Sequence, residues 1–376
     1  MTVAAATSAP TRDELRRAYA GRRVLVTGHT GFKGGWLTLW LRELGAEVTG
    51  YALAPDPMPS LFLAAGIERA CRHVIADVRD LARLRAVVEE ARPEVVFHLA
   101  AQPLVRRSYE EPVLTVETNV LGTTHVLEAV RQAGRPCAVV VVTSDKCYEN
   151  REWLWGYRED EPMGGHDIYS MSKGAAELVV SSYRRSFFPP ARLDRHGVAL
   201  ASARAGNVVG GGDWAKDRIV PDAISALAER RPIPVRNPDG VRPWQHVLEP
   251  LGGYLLLGAR LAPSEPVEAR ARSCEAWNFG PRAEDARPVR AVVEAIVEAW
   301  GSGRWEDRRD PVAPHEAGIL RLSVEKAHAR LGWVPRWRFE ETFRRTVDWY
   351  RAFHGGAPAA ELAALCVRQI EDYLRA

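Results

Sequence analysis

Up to about residue 210 the chain alternates between two hydrophobic rhythms. Short apolar runs bounded by polar or glycine residues predict buried strands at Arg23 to Thr27, Glu47 to Tyr51, His73 to Ala76, Val95 to Leu99, Ala138 to Thr143 and Val198 to Ala203. Between them, apolar residues recur at helical spacing. The predicted helices run from Gly34 to Leu44, with Trp36, Leu37, Trp40 and Leu41 on one face, and from Leu81 to Ala91. They continue from Pro112 to Gly134, with Val116, Val120, Leu127 and Val130 on one stripe, and from Tyr169 to Phe187. Strand and helix in strict alternation imply right-handed crossovers.

That order predicts an α/β protein built on a Rossmann-type, doubly wound parallel sheet. Ligands on such sheets bind beyond the carboxyl ends of the strands, so the residues that follow each strand are where chemistry is sought. Past Gly210 the alternation decays: residues 213–242 and 281–376 are mixed and rich in Arg, Trp and Pro. The expected organisation is an N-terminal extension over 1–20 with a short helix from Arg12 to Ala20, and a sheet domain over 21–212. About 244–280 rejoins that domain through the segment His246 to Arg260 and a strand from Trp277 to Gly280. A smaller mixed α/β C-terminal lobe for substrate comprises 213–243 and 281–376.

Composition changes this picture little. Hydrophobic residues make 46% of the chain and charged residues 26%, ordinary globular values. A net charge of +3 shows no nucleic-acid footprint. No apolar run is long enough to span a membrane, and the N-terminus lacks a signal-peptide pattern. The five cysteines (Cys71, Cys137, Cys147, Cys274, Cys366) form neither a C-x-x-C pair nor a zinc-spaced cluster, so no metal is expected and a reduced, cytoplasmic setting is. Only five of the 51 basic residues are lysines: Lys33, Lys146, Lys173, Lys216 and Lys326. Against an arginine background, a lysine suggests that a compact ammonium with a movable pKa is wanted.

The first strand runs into Gly28-His29-Thr30-Gly31-Phe32-Lys33-Gly34. Glycines at 28, 31 and 34 allow a tight turn, close approach of backbone to a pyrophosphate, and close helix packing, while the helix N-terminus offers free N–H groups. This predicts a dinucleotide site containing Thr30, Phe32 and Lys33. Ala100 and Ala101, just after the fourth strand, fall on the same edge. Asp77 and Val78 follow the third strand; Asp77 is read either as an acceptor for an adenine amino group, with Val78 against the ring, or as a helix N-cap. The second strand ends at Gly50-Tyr51-Ala52, with neither an acid nor an arginine to choose between NAD and NADP.

Tyr169-Ser170-Met171-Ser172-Lys173 sets a phenol and an ammonium one helical turn apart. An ammonium beside a phenol favours the phenolate, so the Tyr169 pKa is expected to fall toward working pH and the side chain to act as a base on a hydroxyl. Ser144, at the end of the fifth strand, sits where a second hydroxyl would polarise the same oxygen. Asn119 is polar within an apolar helical pattern; it either positions a water or main chain near Lys173, or caps or kinks the helix. A redox-sensing regulator without turnover would have little use for this intact Ser-Tyr-Lys set.

From Arg22 to about Trp337 the chain resembles the extended short-chain dehydrogenases/reductases. The segments Thr143–Tyr148, Arg151–Tyr157, Gly164–Tyr169, Gly210–Arg218 and Arg242–Val247 resemble, within that family, the CDP-glucose 4,6-dehydratases. The resemblance implies conversion of CDP-glucose to CDP-4-keto-6-deoxyglucose with NAD reduced and reoxidised in each turnover, the alternatives being another nucleotide-sugar dehydratase or an epimerase. Oxidation at C4 acidifies the C5 proton, and loss of water then needs an acid at the C6 hydroxyl. Asp145 is that acid if burial raises its pKa, a requirement an epimerase does not have. Lys146 stands where the resembling dTDP-glucose branch has a glutamate base. It is read as the C5 base or as an electrostatic partner of the enolate while Tyr169 takes the proton, with a salt bridge to Glu149 or Glu159 as the plain alternative. The resemblance also implies diphosphate contacts from Asn207, Arg242 and His246. Lys216 and Arg218 are further candidates, with surface solvation as the alternative, and His315-Glu316 is placed near the ribose. Trp153, Trp155 and Tyr157 either close over the sugar or pack as a hairpin. The helices from Pro112 and Tyr169 are implied to pair with a partner's copies in a homodimeric four-helix bundle.

Overall fold

The protein is described by a computed structural model covering residues 11–56, 59–309 and 320–376. Six strands in chain order, β1 (Arg23–Thr27), β2 (Glu47–Ala52), β3 (Arg72–Ile75), β4 (Val95–His98), β5 (Cys137–Val142) and β6 (Val198–Ala205), lie within two residues of the predicted positions. Further short strands follow: β7 (Val208–Val209), β8 (Ile233–Val235), β9 (Val241–Pro243), β10 (Gln245–His246) and β11 (Ala276–Phe279). The central sheet has the order β11-β6-β5-β4-β1-β2-β3 and every pairing in it is parallel. Strands β5 and β6 are buried along their whole length, as expected of a parallel sheet covered on both faces. The order reverses between β1 and β4, and the crevice at their carboxyl ends is where a ligand should bind.

Helices flank the sheet on both sides. The helix Phe32–Glu43 departs from its predicted amphipathic character: residues Gly34 through Leu41 are all buried. Its outer side is covered by the C-terminal helix Ala359–Arg375, with the Trp40 and Tyr373 rings edge to face at 5.6 Å. The long helix predicted from Pro112 is one rod in which Glu117–Leu121 forms a wider, π-helical turn between Pro112–Val116 and Gly122–Ala133. The segment read as an N-terminal extension is docked from Arg12 onward. Helix Arg12–Tyr19 buries Leu15 and Tyr19, and the Tyr19 hydroxyl donates to the Leu255 carbonyl at 2.6 Å. Beyond β6, the helix Leu248–Leu261 packs on β5 and β6, and β11 extends the sheet at β6. The region read only as mixed contains the helices Ile219–Ala228, Val289–Trp300 and Phe339–His354.

Glu249 ties these late elements to the core. Its fully buried carboxylate accepts hydrogen bonds from the Trp337 backbone N–H at 2.7 Å, from the Arg336 N–H at 3.0 Å and from the Tyr373 hydroxyl at 3.0 Å. Burial outweighs these bonds and pushes the carboxyl from 4.5 up to about 7. A carboxyl harder to ionise folded than unfolded binds its proton more tightly in the native state. Its contribution is therefore full below the unfolded value and is lost as pH rises toward about 7, by about 3 kcal/mol in total. The expected result is a wild-type Tm that declines across that window and a flatter profile for Glu249→Gln; parallel profiles would contradict the assignment.

Candidate active site

The loop after β1 is shaped by backbone proximity. Gly28 has φ +79°, and a Cβ there would lie 2.7 Å from the Ala100 amide nitrogen. A Cβ on Gly34 would meet the Gly28 carbonyl oxygen at 2.0 Å. Only glycine fits either position. Gly31 is the N-cap of Phe32–Glu43 and brings no side-chain acceptor, so the first N–H groups of that helix remain for an anion. Thr30 Oγ1 donates to the Leu53 carbonyl at 2.9 Å, fastening the loop to the chain after β2. The turn at Gly28 lies against Ala100 at the switch point between β1 and β4, and the backbone cradle it leaves suits a dinucleotide pyrophosphate.

Asp77 is not the N-cap of the following helix. That role belongs to Asp80, whose carboxylate accepts from the Arg83 N–H at 2.9 Å. The Asp77 carboxylate instead accepts from the backbone N–H, Nε and Nη2 of Arg79, which hold it below the ordinary carboxylate value despite burial. The Val78 side chain belongs to the core on this face of the sheet.

Tyr169 opens the helix Ile168–Ser186, which Asp167 caps through the Ser170 N–H. Ser108 Oγ accepts from the Tyr169 backbone N–H at 3.2 Å. One turn on, the Lys173 ammonium lies 6.0 Å from the Tyr169 ring centre, and both side chains are buried. The expected fall in the phenol's pKa does not occur in the protein itself. Burial pushes Tyr169 up to about 12, against the Ser144 hydrogen bond and the charge of Arg218, and burial likewise brings Lys173 down to about 8. Loss of hydration penalises the phenolate, and the charges of Asp145 and Asp167 add to that penalty. Asn119 explains how the helix is set: Oδ1 accepts from the Gln102 N–H at 2.8 Å, and Nδ2 donates to the Gln102 carbonyl and to Ser172 Oγ. It holds main chain and the neighbour of Lys173, from within the π-helical turn.

Ser144 leads a single 3-10 turn, Asp145–Cys147. Its Oγ donates to Asp145 Oδ1 at 3.0 Å and accepts from the Lys146 N–H at 3.2 Å. Asp145 is 3% exposed, and burial raises its carboxyl above the ordinary range although Lys146, Ser144 and Lys33 oppose this. Gly206 leaves the space: a Cβ there would sit 2.6 Å from Asp145 Oδ2. Lys146 is half-buried, and among the described residues it forms no ion pair with Glu149 or Glu159. The Glu159 carboxylate instead accepts from the Asn278 N–H at 3.0 Å.

Lys33 reaches further than the loop alone suggests. Burial, with the charges of Arg218 and Lys173 nearby, brings it down to about 8 while Asp145 and Asp213 pull it up. Arg218 belongs to the same centre, paired with Asp213 at 2.8 Å. Of the five lysines, Lys33 and Lys146 are half-buried and Lys173 is buried, whereas Lys216 is exposed and Lys326 pairs with Glu275 beside Trp277. Asn207 and Arg242 are half-buried, the Asn207 carbonyl accepting from the Gln245 N–H. His246 does not line this site. It is fully buried between Trp36 and Trp337, ring centres 6.0 and 4.8 Å away, and burial lowers it to about 3. Trp153 and Tyr157 pack with Tyr148, while Leu154 and Trp155 project into solvent. His315-Glu316 lie outside the described residues.

The sequence profile of the GDP-mannose 4,6 dehydratase family matches residues 25–346. A CDP-glucose 4,6-dehydratase from Salmonella typhimurium is 52% identical over 95% of this chain and 98% of its own length. Among solved structures, a dTDP-glucose 4,6-dehydratase from Streptomyces venezuelae with NAD bound superposes with TM-score 0.73 at 23% identity, covering 89% of this chain and 98% of that one. A UDP-glucose 4-epimerase from Thermus thermophilus in complex with NAD gives TM-score 0.71 at 27% identity, with coverages of 88% and 99%. The chain belongs to the GDP-mannose 4,6 dehydratase family, within the extended short-chain dehydrogenases/reductases.

Proposed function

We propose that this chain is a CDP-glucose 4,6-dehydratase, an NAD-dependent hydro-lyase that converts CDP-D-glucose to CDP-4-keto-6-deoxy-D-glucose and water. The observation that carries the reading is Asp145: a buried carboxyl raised above the carboxylate range, hydrogen-bonded to the serine of a Ser-Tyr-Lys set. The base preference is supported by the 52% identity to the Salmonella enzyme.

The loop Gly28 to Gly34, with Asp77, Val78, Ala100 and Ala101 nearby, would hold NAD, which when bound would supply the hydride acceptor for C4 and the hydride donor for C6. Tyr169, as a phenolate that the Lys173 ammonium stabilises, takes the C4 hydroxyl proton and becomes a phenol, while Ser144 polarises that oxygen. The C4 ketone makes the C5 proton acidic. Lys146 takes it, Asp145 protonates the C6 hydroxyl so that it leaves as water, and Lys146 returns the proton to C5 as hydride reaches C6. Arg218, Arg242, Asn207 and Lys216 are assigned to the substrate's diphosphate, where guanidinium and amide donors match phosphate oxygens. The test is incubation with CDP-glucose. The alkaline absorbance of a 4-keto sugar should develop, and faster than with dTDP- or UDP-glucose. Formation of the C4 epimer instead would reassign the chain as an epimerase.

A homodimer is part of this reading. Val113 and Leu121 on the rod from Pro112, and Met171 and Leu178 on Ile168–Ser186, are exposed apolar side chains on two helices that pack together. Leu178→Glu should convert a dimer to a monomer in light scattering; an unchanged mass would exclude this face. A cytoplasmic setting is supported by five cysteines that are all free. No helix among the described residues is long and apolar enough to cross a membrane.

A further inference from the structure

Behind the reacting residues lies an ion pair with no substrate to bind. Arg204 on β6 and Glu177 on the helix Ile168–Ser186 meet at 2.8 Å, and both side chains are 4% exposed. Glu177 lies one turn beyond Lys173, and its carboxylate also accepts from Ser202 Oγ at 2.7 Å and from Thr143 Oγ1, the residue before Ser144. Arg204 Nη1 donates to the Tyr148 hydroxyl at 2.6 Å and to the Glu159 carbonyl at 3.0 Å. The Tyr148 hydroxyl in turn donates to Asn278 Oδ1 at 2.8 Å, and Asn278 Nδ2 holds the Tyr157 and Ser323 carbonyls. Tyr148 directly follows the turn Asp145–Cys147.

One guanidinium thus joins two sets of residues that act at different steps. Glu177 is on the helix of Tyr169 and Lys173, which handle C4; Tyr148 anchors the turn of Asp145 and Lys146, which handle C5 and C6. A buried ion pair is an uneconomical way to stabilise a core, since desolvation offsets the attraction and an apolar pair of similar size often does as well. What it adds is fixed geometry, because the Glu177 carboxylate and both terminal nitrogens of Arg204 keep their partners in one arrangement, while Arg204 Nε has none among the described residues.

Resting on the function proposed above, we infer that Arg204 and Glu177 are positioning residues that hold the proton-handling turn in register with the redox helix, and so couple C4 oxidation to water loss. The partners carry no reacting atom. They keep Asp145 at the distance from C6 that Tyr169 and Lys173 define at C4.

Two variants test this on the full-length protein with NAD and CDP-glucose. Tyr148→Phe removes one arm of the hub and leaves the ion pair intact. The double variant Glu177→Gln with Arg204→Met removes both charges together, so that neither is left buried alone. Single-turnover nicotinamide absorbance reads C4 oxidation, and the 4-keto-6-deoxy product reads water loss. In Tyr148→Phe oxidation is expected to stay within about twofold of wild type while water loss falls roughly tenfold; in the double variant, where Lys173 also loses the nearby Glu177 charge, water loss falls up to a hundredfold and by at least tenfold more than oxidation, as misplacement near 1 Å can cost. Reduced nicotinamide then accumulates. Equal losses in both steps, or unimpaired water loss in Tyr148→Phe and in the double variant, would overturn the inference. Wild-type turnover checks the function itself: a wild type that never forms product sinks that reading, whereas a normal wild type with uncoupled steps in neither variant sinks only the hub.

Discussion

Replacing Asp145 with asparagine is expected to stop water loss while leaving C4 oxidation measurable, so that reduced nicotinamide builds up on the enzyme. The substitution keeps the shape of the side chain and its contact with Ser144 but removes the proton to be given to C6. Loss of a positioned general acid costs roughly 10²- to 10⁴-fold. Burial is what equips the native residue: its carboxyl is raised above the ordinary range chiefly because water is excluded, with Lys146 and Lys33 limiting the rise. An Asp145→Asn protein that forms the deoxysugar at the wild-type rate would remove the acid from this position.

Tyr169→Phe should act earlier and silence both readouts, with C4 oxidation down by roughly 10²- to 10⁴-fold and no reduced nicotinamide detected. The two steps should also respond to pH with opposite signs. Oxidation needs a phenol pushed up to about 12 to give up its proton, so its rate should climb as pH rises. Lys173, brought down to about 8, limits that climb as it loses its charge. Water loss needs Asp145 protonated and should decline as pH rises, since the raised carboxyl then ionises. Measuring the steps separately, by nicotinamide absorbance and by product, checks the signs; a common slope for both would contradict the division of labour between Tyr169 and Asp145.

The alternation of strands and helices was legible because a parallel sheet writes itself as short apolar runs separated by amphipathic stretches. The glycine loop and the Ser-Tyr-Lys set were legible because each lies within a few residues of a strand end or one helical turn. Properties that depend on what packs from far away were not. The total burial of Phe32–Glu43 comes from a helix at the other end of the chain. The enclosure of His246 depends on Trp36 and Trp337. The direction of the Tyr169 shift was misread because adjacency to Lys173 shows in the sequence, whereas the dryness of the site does not. Arg204 and Glu177 gave no signal at all: an arginine in a strand and a glutamate in a helix are unremarkable until the fold brings them together.

The cover that Ala359–Arg375 lays over Phe32–Glu43 has a consequence for biosynthesis. The helix Phe32–Glu43 leaves the ribosome early, whereas the segment that shields its outer, tryptophan-bearing side is translated hundreds of residues later. During that interval the nascent chain must present a greasy surface to solvent, a state prone to aggregation and attractive to chaperones. Yield of intact enzyme in the cell is thus tied to how fast, and how completely, the tail of the message is read.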